Sequence, residues 1–229
     1  TSVGHDHQDW LGTSLDAIAL EKAGIFRRGR PAIIGQPDAP SRLREEAERR
    51  GAEVLQVGRE IGVVPEPSGW LRSLKGRLPL ALNAVRSGLT RARLPGRFQV
   101  IPGDVTWILD VAHNREAAET LAANLEGLPC PGRRRAVLAV LADKDAEALA
   151  RPLVPWVETW LLSQSADPRA MPVERLAERV AGVLGGAERR ILPDLPQALE
   201  TAWALSSPGD CVLVYGSFTT VEAAFLRLG

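Results

Sequence analysis

Lysine is scarce in this chain. Lysine and arginine together make 28 of the 229 residues, yet only Lys22, Lys75 and Lys144 are lysine. A sequence that uses arginine everywhere else keeps lysine where a compact, adjustable ammonium group is needed. Cysteine is scarcer still. Cys130 and Cys211 show no CxxC spacing, which argues against a disulfide framework and against a cysteine zinc site. No apolar run reaches the roughly 20 residues that a bilayer-spanning helix needs. Charge of one sign does not dominate either: 28 acidic side chains balance 28 basic ones. The chain therefore has no overall field to draw nucleic acid or an anionic membrane surface. The clusters Arg27-Arg28-Gly29-Arg30 and Arg133-Arg134-Arg135 read as solvated loops before strands. Repeats and low-complexity tracts are missing, and so is the phosphate loop G-x-x-x-x-G-K-[ST].

What is present is the composition of a globular protein with a core, long enough for one large or two small domains. Ser14 or Thr13 can cap a helix running to about Ala23, with Gly24 as its stop. Strands are expected at 32–35 and 53–57, flanking an Arg/Glu-rich helix capped by Ser41 with Glu45 and Glu46 in a charged first turn. Residues 58–80 read as irregular or hairpin-like. From Leu94 the alternation is cleaner. Strands are expected at 97–101, 106–112, 135–142, 157–164, 189–192 and 211–216, and helices at 114–126, 144–155, 172–184, 195–206 and 219–228. Such spacing implies βαβ units and a mostly parallel sheet. The apolar runs Val137–Leu141 and Val212–Tyr215 fit central strands covered on both faces.

Ligands of such sheets sit beyond the carboxyl ends of the strands. There the chain places Asp110, His113 and Asn114, then Asp143, Lys144 and Asp145, then Ser163 and Ser165, and finally Gly216-Ser217. Helix capping accounts for Asn114, Asp143 and Ser217 one by one. It does not account for His113 and Lys144. A strand-end carboxylate can accept from ribose hydroxyls, an imidazole can meet phosphate or carboxylate, and the rigid turn Leu94-Pro95-Gly96-Arg97-Phe98 offers a guanidinium to phosphate oxygens.

Read in order, His5-Asp6-His7-Gln8-Asp9-Trp10-Leu11-Gly12, Glu21-Lys22-Ala23-Gly24-Ile25-Phe26, LPGRF, ILDVAHN, LADKD and VYGSF resemble the folylpolyglutamate synthase/dihydrofolate synthase family of Mur-type amide ligases. The likeness runs from residue 2 to the carboxyl terminus. It implies an α/β chain: residues 1–93 as the remainder of a central ATPase domain, and 94–229 as a Rossmann-like domain for glutamate and nucleotide. It also implies ATP-dependent ligation of L-glutamate to a folate or dihydropteroate carboxylate, with Mg2+ and ATP, in a cytoplasmic monomer. By the resemblance, His7 is the magnesium-site histidine, and Lys22 carries a carbamate, an anionic oxygen ligand that suits a hard cation. Arg97 contacts the ATP phosphates, Asp110 holds the ribose, and His113 and Ser217 meet the incoming glutamate. Lys144 and Asp145 match a looser motif without a fixed role, and His5 receives none.

Two departures from the family follow. The missing phosphate loop removes the backbone cradle and lysine for the β- and γ-phosphates. In addition, Leu82 runs straight into Asn83 where the family has a helix with an Asn-Ala motif. The chain is therefore expected to be part of a longer protein, with residues missing near 82–83, and to be inactive alone. Competing readings are another Mur-type amino-acid ligase, a non-catalytic nucleotide-binding α/β module, and a metal hydrolase built on the His-Asp-His cluster.

Overall fold

The computed structural model describes residues 14–66, 69–74 and 94–228, with the 61–74 span given by its backbone alone. The expectations for His5, His7 and the Leu82/Asn83 junction lie outside the described residues. The chain divides into two compact units, Thr1–Ala92 and Arg93–Gly229.

In the first unit, helix α1 (Leu15–Lys22) starts at Ser14, whose Oγ accepts from the Ala17 N–H at 3.3 Å. A short 3-10 turn, Ala23–Ile25, closes it. Strand β1 (Pro31–Ile34), helix α2 (Ser41–Arg49) and strand β2 (Glu53–Gln56) form a βαβ unit, with β1 and β2 parallel. Ile18, Ala19, Ala32, Ile34, Leu43, Ala47 and Val54 pack as its core. Ser41 is not the cap of α2. Pro40 takes that place with no side-chain bond, because its fixed φ already delivers the chain into the first helical residue. Glu46 is not a first-turn charge either; the guanidiniums of Arg49 and Arg50 hold it at 2.7 Å. Strands β3 (Ile61–Glu66) and β4 (Gly69–Leu74) pair antiparallel, in the region read as hairpin-like.

The second unit is a six-stranded sheet. Its strands are β5 (Gln99–Ile101), β6 (Thr106–Asp110), β7 (Arg134–Leu138), β8 (Thr159–Leu162), β9 (Glu188–Ile191) and β10 (Cys211–Tyr215). They lie in the order β5-β6-β10-β7-β8-β9, all parallel except β5 against β6. The central strands read as continuous apolar runs because both faces are covered. Alternate residues show it: Leu213 and Tyr215 of β10 face one core, Val212 and Val214 the other. The first core takes in α3 (Arg115–Glu126), α4 (Ala146–Ala150) and α5 (Val173–Leu184). The second takes in α6 (Leu195–Ala204) and α7 (Phe218–Leu228).

Three expectations change in detail. The expected helix 144–155 is α4 followed by a 3-10 stretch, Arg151–Trp156, since Pro152 and Pro155 cannot continue the α-helical ladder. Its cap is Asp145, which accepts from the Ala148 N–H at 3.1 Å, and not Asp143. Strands β6, β7 and β8 stop two to four residues short of the expected end; the tail of the β7 run, Ala139 and Val140, stays buried as it leaves the sheet.

Candidate functional site

Strand order decides where a ligand can enter. The connection after β6 runs to α3 on one face, and the connection after β10 runs to α7 on the other, although β6 and β10 are neighbours. Neighbouring strands whose connections part in this way leave a crevice at their carboxyl ends. The same holds for β10 and β7, whose following helix α4 lies on the α3 face.

Asp110 ends β6 and organises one wall of this crevice. Its Oδ2 accepts from the Phe98 N–H and its Oδ1 from the Ala112 N–H, both at 2.7 Å. Burial pushes its carboxyl above the usual carboxylate range, and those two N–H groups and the nearby Arg97 and His113 only partly offset this. The bond to Phe98 exists because β5 is antiparallel. Its pairing of Gln99 with Leu109 carries the preceding residues alongside the carboxyl end of β6. A parallel strand would have put Arg97 at the opposite end of the sheet. The turn before β5 is further held by Val111 N–H to Gly96 O at 2.8 Å and by Gly96 N–H to Gln99 Oε1 at 3.1 Å. Gly96 sits at φ +66°, and a Cβ there would press on Val221 and Val111.

His113 follows two residues after Val111, and its Nδ1 lies 2.8 Å from the Val111 carbonyl oxygen. A carbonyl can only accept, so Nδ1 carries the proton, and in the neutral ring Nε2 is the acceptor. Asn114 caps α3 by accepting from the Ala117 N–H at 2.9 Å.

Gly216 and Ser217 turn the chain from β10 into α7. At φ +120°, Gly216 adopts a conformation that side chains rarely take, and a Cβ would run into the Ala139 carbonyl. Ser217 Oγ accepts from the Thr220 N–H at 3.1 Å and lies 2.7 Å from Thr220 Oγ1, which donates to Ala139 O at 2.8 Å. Thr219 Oγ1 is 2.9 Å from Ser217 Oγ and 3.2 Å from Ser165 Oγ, so the hydroxyls reach from β10 across to the loop after β8. In the loop after β8, Ser163 Oγ is fully buried and has no hydrogen-bond partner among the described residues.

The Phe218 ring is in contact with both Arg97 and His113. The Arg97 guanidinium carbon is 5.8 Å from its ring centroid, and the His113 ring is 6.3 Å away. After β7, the Lys144 side chain is only 8% exposed, with its ammonium 3.3 Å from the Asp143 carboxylate. The structure thus gathers Arg97, Asp110, His113 and Ser217 at the β6/β10 crevice. Asp145 serves as a helix cap. Lys22 belongs to the other unit, as the last residue of α1 and partly exposed. The sequence reading passed over Phe218, Thr219 and Thr220. Phe218 belongs to the VYGSF stretch, but a Phe at a helix start reads as core, and Thr219 and Thr220 lie just past it with no signal of their own.

An open, mostly parallel α/β sheet with an anion-competent, hydroxyl-lined crevice at its strand switch defines a Rossmann-like ligand-binding domain. Residues 96–218 match the family described as Mur ligase, glutamate ligase domain, and the chain belongs to that family. The dihydrofolate synthase/folylpolyglutamate synthase of Escherichia coli (strain K12) is 36% identical over 247 residues, covering 96% of this chain and 57% of that protein. The solved structure of E. coli FolC in complex with DHPP and ADP superposes with a TM-score of 0.86 at 34% identity, covering 100% of this chain and 60% of that one. A bifunctional folylpolyglutamate synthase/dihydrofolate synthase with Mn, AMPPNP and L-glutamate bound gives a TM-score of 0.83 at 33% identity, over 99% of this chain and 60% of that one. The chain therefore spans about three fifths of the length of these relatives.

Proposed function

We propose that this chain is part of an ATP-dependent ligase that joins L-glutamate to the carboxylate of a folate or dihydropteroate. The observation that carries the reading is the meeting of Arg97, Asp110, His113 and Ser217 at the crevice beside β10, in a chain whose relatives bear that activity in their names. In the reaction, a carboxylate oxygen of the acceptor attacks the γ-phosphorus of ATP, forming an acyl phosphate and releasing ADP. The glutamate amine then attacks the acyl carbon, phosphate leaves, and the nitrogen loses a proton.

The residues of this chain supply binding and orientation. Arg97, on a turn pinned to Asp110, offers two N–H groups to phosphate oxygens. Asp110 faces the ribose hydroxyls. His113 and the Ser217 hydroxyl meet glutamate, and Lys144 adds a nearly buried positive charge whose role is open between nucleotide and amino acid. Positioning of this kind turns an encounter of three molecules into local chemistry, and exclusion of water protects the acyl phosphate from hydrolysis.

Residues 1–93 are read as the remainder of a central ATPase domain and 94–229 as the glutamate and nucleotide domain, with residues missing near 82–83. Such a chain is inactive alone, and the complete enzyme is a cytoplasmic monomer. No helix among the described residues is long and apolar enough to cross a membrane. Among the described residues no group of three or more His, Cys, Asp or Glu could hold a metal. The Mg2+ ligands that the family resemblance implies are His7, outside the described residues, and Lys22 through a carbamate. A carbamate at the carboxyl end of α1 meets the negative end of the helix dipole, so it needs a cation beside it. When bound, the metal offsets charge on the phosphoryl oxygens.

The test is kinetic, in the complete protein. His113→Ala should raise the KM for glutamate by roughly 10- to 100-fold, the range of a lost hydrogen bond to a charged group, and leave that for ATP nearly unchanged. A change confined to ATP overturns the assignment. Lys22→Ala should abolish turnover and recover partly with added short carboxylic acids; normal turnover in that variant ends the carbamate reading.

A further inference from the structure

Phe218 is out of place for an aromatic residue. It opens α7, whose Val221 and Ala224 are buried, yet Phe218 itself is 62% exposed. Two side chains from two different loops use that ring. The Arg97 guanidinium carbon stands 5.8 Å from its centroid, within reach of a cation–π attraction. The His113 ring lies 6.3 Å away at an interplanar angle of 40°, a tilted aromatic contact. The backbones of both loops are fixed by Asp110, through the Phe98 and Ala112 N–H groups, and the His113 ring is tethered at Nδ1 to the Val111 carbonyl. What those bonds leave open is the end of each side chain. Arginine has a long, rotamer-rich stem, and the imidazole of His113 can swing about its Nδ1–H bond.

We infer that Phe218 is a positioning residue that holds the Arg97 guanidinium and the His113 imidazole in their binding orientations, so that one ring serves both the nucleotide half and the amino-acid half of the crevice. The inference rests on the proposed assignment of Arg97 to phosphate and His113 to glutamate. Removing the ring leaves both groups in the crevice but no longer pre-organised, and the rotamer freedom must then be lost on binding. The consequence falls on affinity for both substrates and not on the chemical step.

The experiment compares Phe218→Leu, which keeps an apolar side chain without a π face, with Phe218→Tyr, which keeps the ring. In the complete protein, ADP affinity is read by calorimetry and glutamate KM and kcat by steady-state kinetics. Phe218→Leu should weaken ADP about two- to fivefold, the range of an exposed cation–π pair, and raise glutamate KM by a similar factor. Its kcat should stay within about twofold by the argument that only binding is affected, and Phe218→Tyr should match the parent. In an Arg97→Ala background the further loss of ADP affinity on Phe218→Leu should vanish. Overturning results are a Leu variant equal to the parent for either ligand, Leu and Tyr variants equally impaired, or an ADP effect that persists in full without Arg97. The single variants separate the two levels. If Arg97→Ala and His113→Ala leave ADP and glutamate untouched, the assignment falls and the inference with it. If each weakens its own ligand while Phe218→Leu does nothing, only the inference falls.

Discussion

At the amino ends of β7 and β10, Arg135 and Asp210 are 7% and 8% exposed and form a 2.6 Å ion pair. Asp210 also accepts from the Arg133 N–H at 2.7 Å and the Ser207 N–H at 2.9 Å, so its carboxylate is well supplied with donors. At the carboxyl end of β10 the chain keeps a glycine at φ +120° and a phenylalanine 62% exposed, and just past β8 the buried Ser163 hydroxyl has no partner among the described residues. The Arg135–Asp210 pair at one end is buried and supplied with partners; the other end holds a positive-φ turn, exposed aromatic surface and an unmet hydroxyl. The two aspartates make the same point. Burial pushes Asp210 up, but the N–H groups of Ser207 and Arg133 and the Arg135 guanidinium outweigh it, and its carboxyl lies below the usual range. Burial wins at Asp110, whose carboxyl lies above it. Stability is concentrated at the amino end, and ligand binding at the carboxyl end tolerates local cost.

The largest test of that contrast is Asp210→Ala. It strands a buried guanidinium and two N–H groups, and breaking a buried pair in this way costs about 3–5 kcal/mol. For a domain of this size that is a fall in Tm of roughly 6–20 °C, measurable by circular dichroism. Ligand affinity below the transition should be unchanged, since Asp210 lies at the far end of the sheet. The pH dependence has a definite sign. A carboxyl depressed on folding contributes its full stability above the unfolded value of about 3.9 and loses it as pH falls through the lower folded value. Acid unfolding of the parent should show that loss and Asp210→Ala should not. A variant that melts with the parent removes the structural half of the comparison.

Gly216→Ala is smaller in stability but falls on the other end. The positive φ alone costs on the order of 1–3 kcal/mol for a side chain, and the added Cβ meets the backbone carbonyl of Ala139, which cannot rotate away. Relief requires moving the Ser217–Thr220 turn. Ligand binding should therefore suffer more than the Tm shift alone explains, which calorimetry with ADP and melting curves on one preparation would show. Equal damage to both, in the manner of Asp210→Ala, would mean that the carboxyl end is structural as well.

Much of this arrangement is legible in the sequence, for physical reasons that also mark where legibility ends. Alternating apolar runs and helices from Leu94 onward define βαβ units, and the strand-switch rule then sends Asp110, His113, Lys144 and Ser217 to one end of a parallel sheet. Periodicity does not report strand direction. The antiparallel β5, on which Arg97 depends to reach the crevice, is set by pairing with β6 and by the Asp110–Phe98 bond, the latter between residues 12 apart. Capping residues were assignable by type and not by position: Asp145 takes the role expected of Asp143, and Pro40 that of Ser41, because one or two residues decide which oxygen or which φ meets the first turn. Phe218 was hidden for a different reason. Apolarity predicts burial, and only the geometry of the helix start turns this ring outward.

The finest test is Asp110→Asn. An amide keeps the side chain's shape but brings an NH2 group against either the Phe98 or the Ala112 N–H, which costs about 1 kcal/mol as a lost bond. Against that loss, the variant removes a buried charge that desolvation penalises, so the net change at neutral pH should be small, within about 1 kcal/mol. The sign with pH is opposite to that at Asp210. A carboxyl raised on folding contributes most below the unfolded value of about 3.9, and that contribution is lost as pH rises through the higher folded value. The stability difference between parent and Asp110→Asn should therefore move in favour of the variant over that window, as followed by urea unfolding at several pH values. ADP affinity should nevertheless fall if the carboxylate holds the ribose. A variant as stable as the parent that binds ADP poorly would show a charge kept at the carboxyl end for the ligand and not for the fold. A variant that binds ADP like the parent would confine Asp110 to its other task, pinning the Arg97 turn.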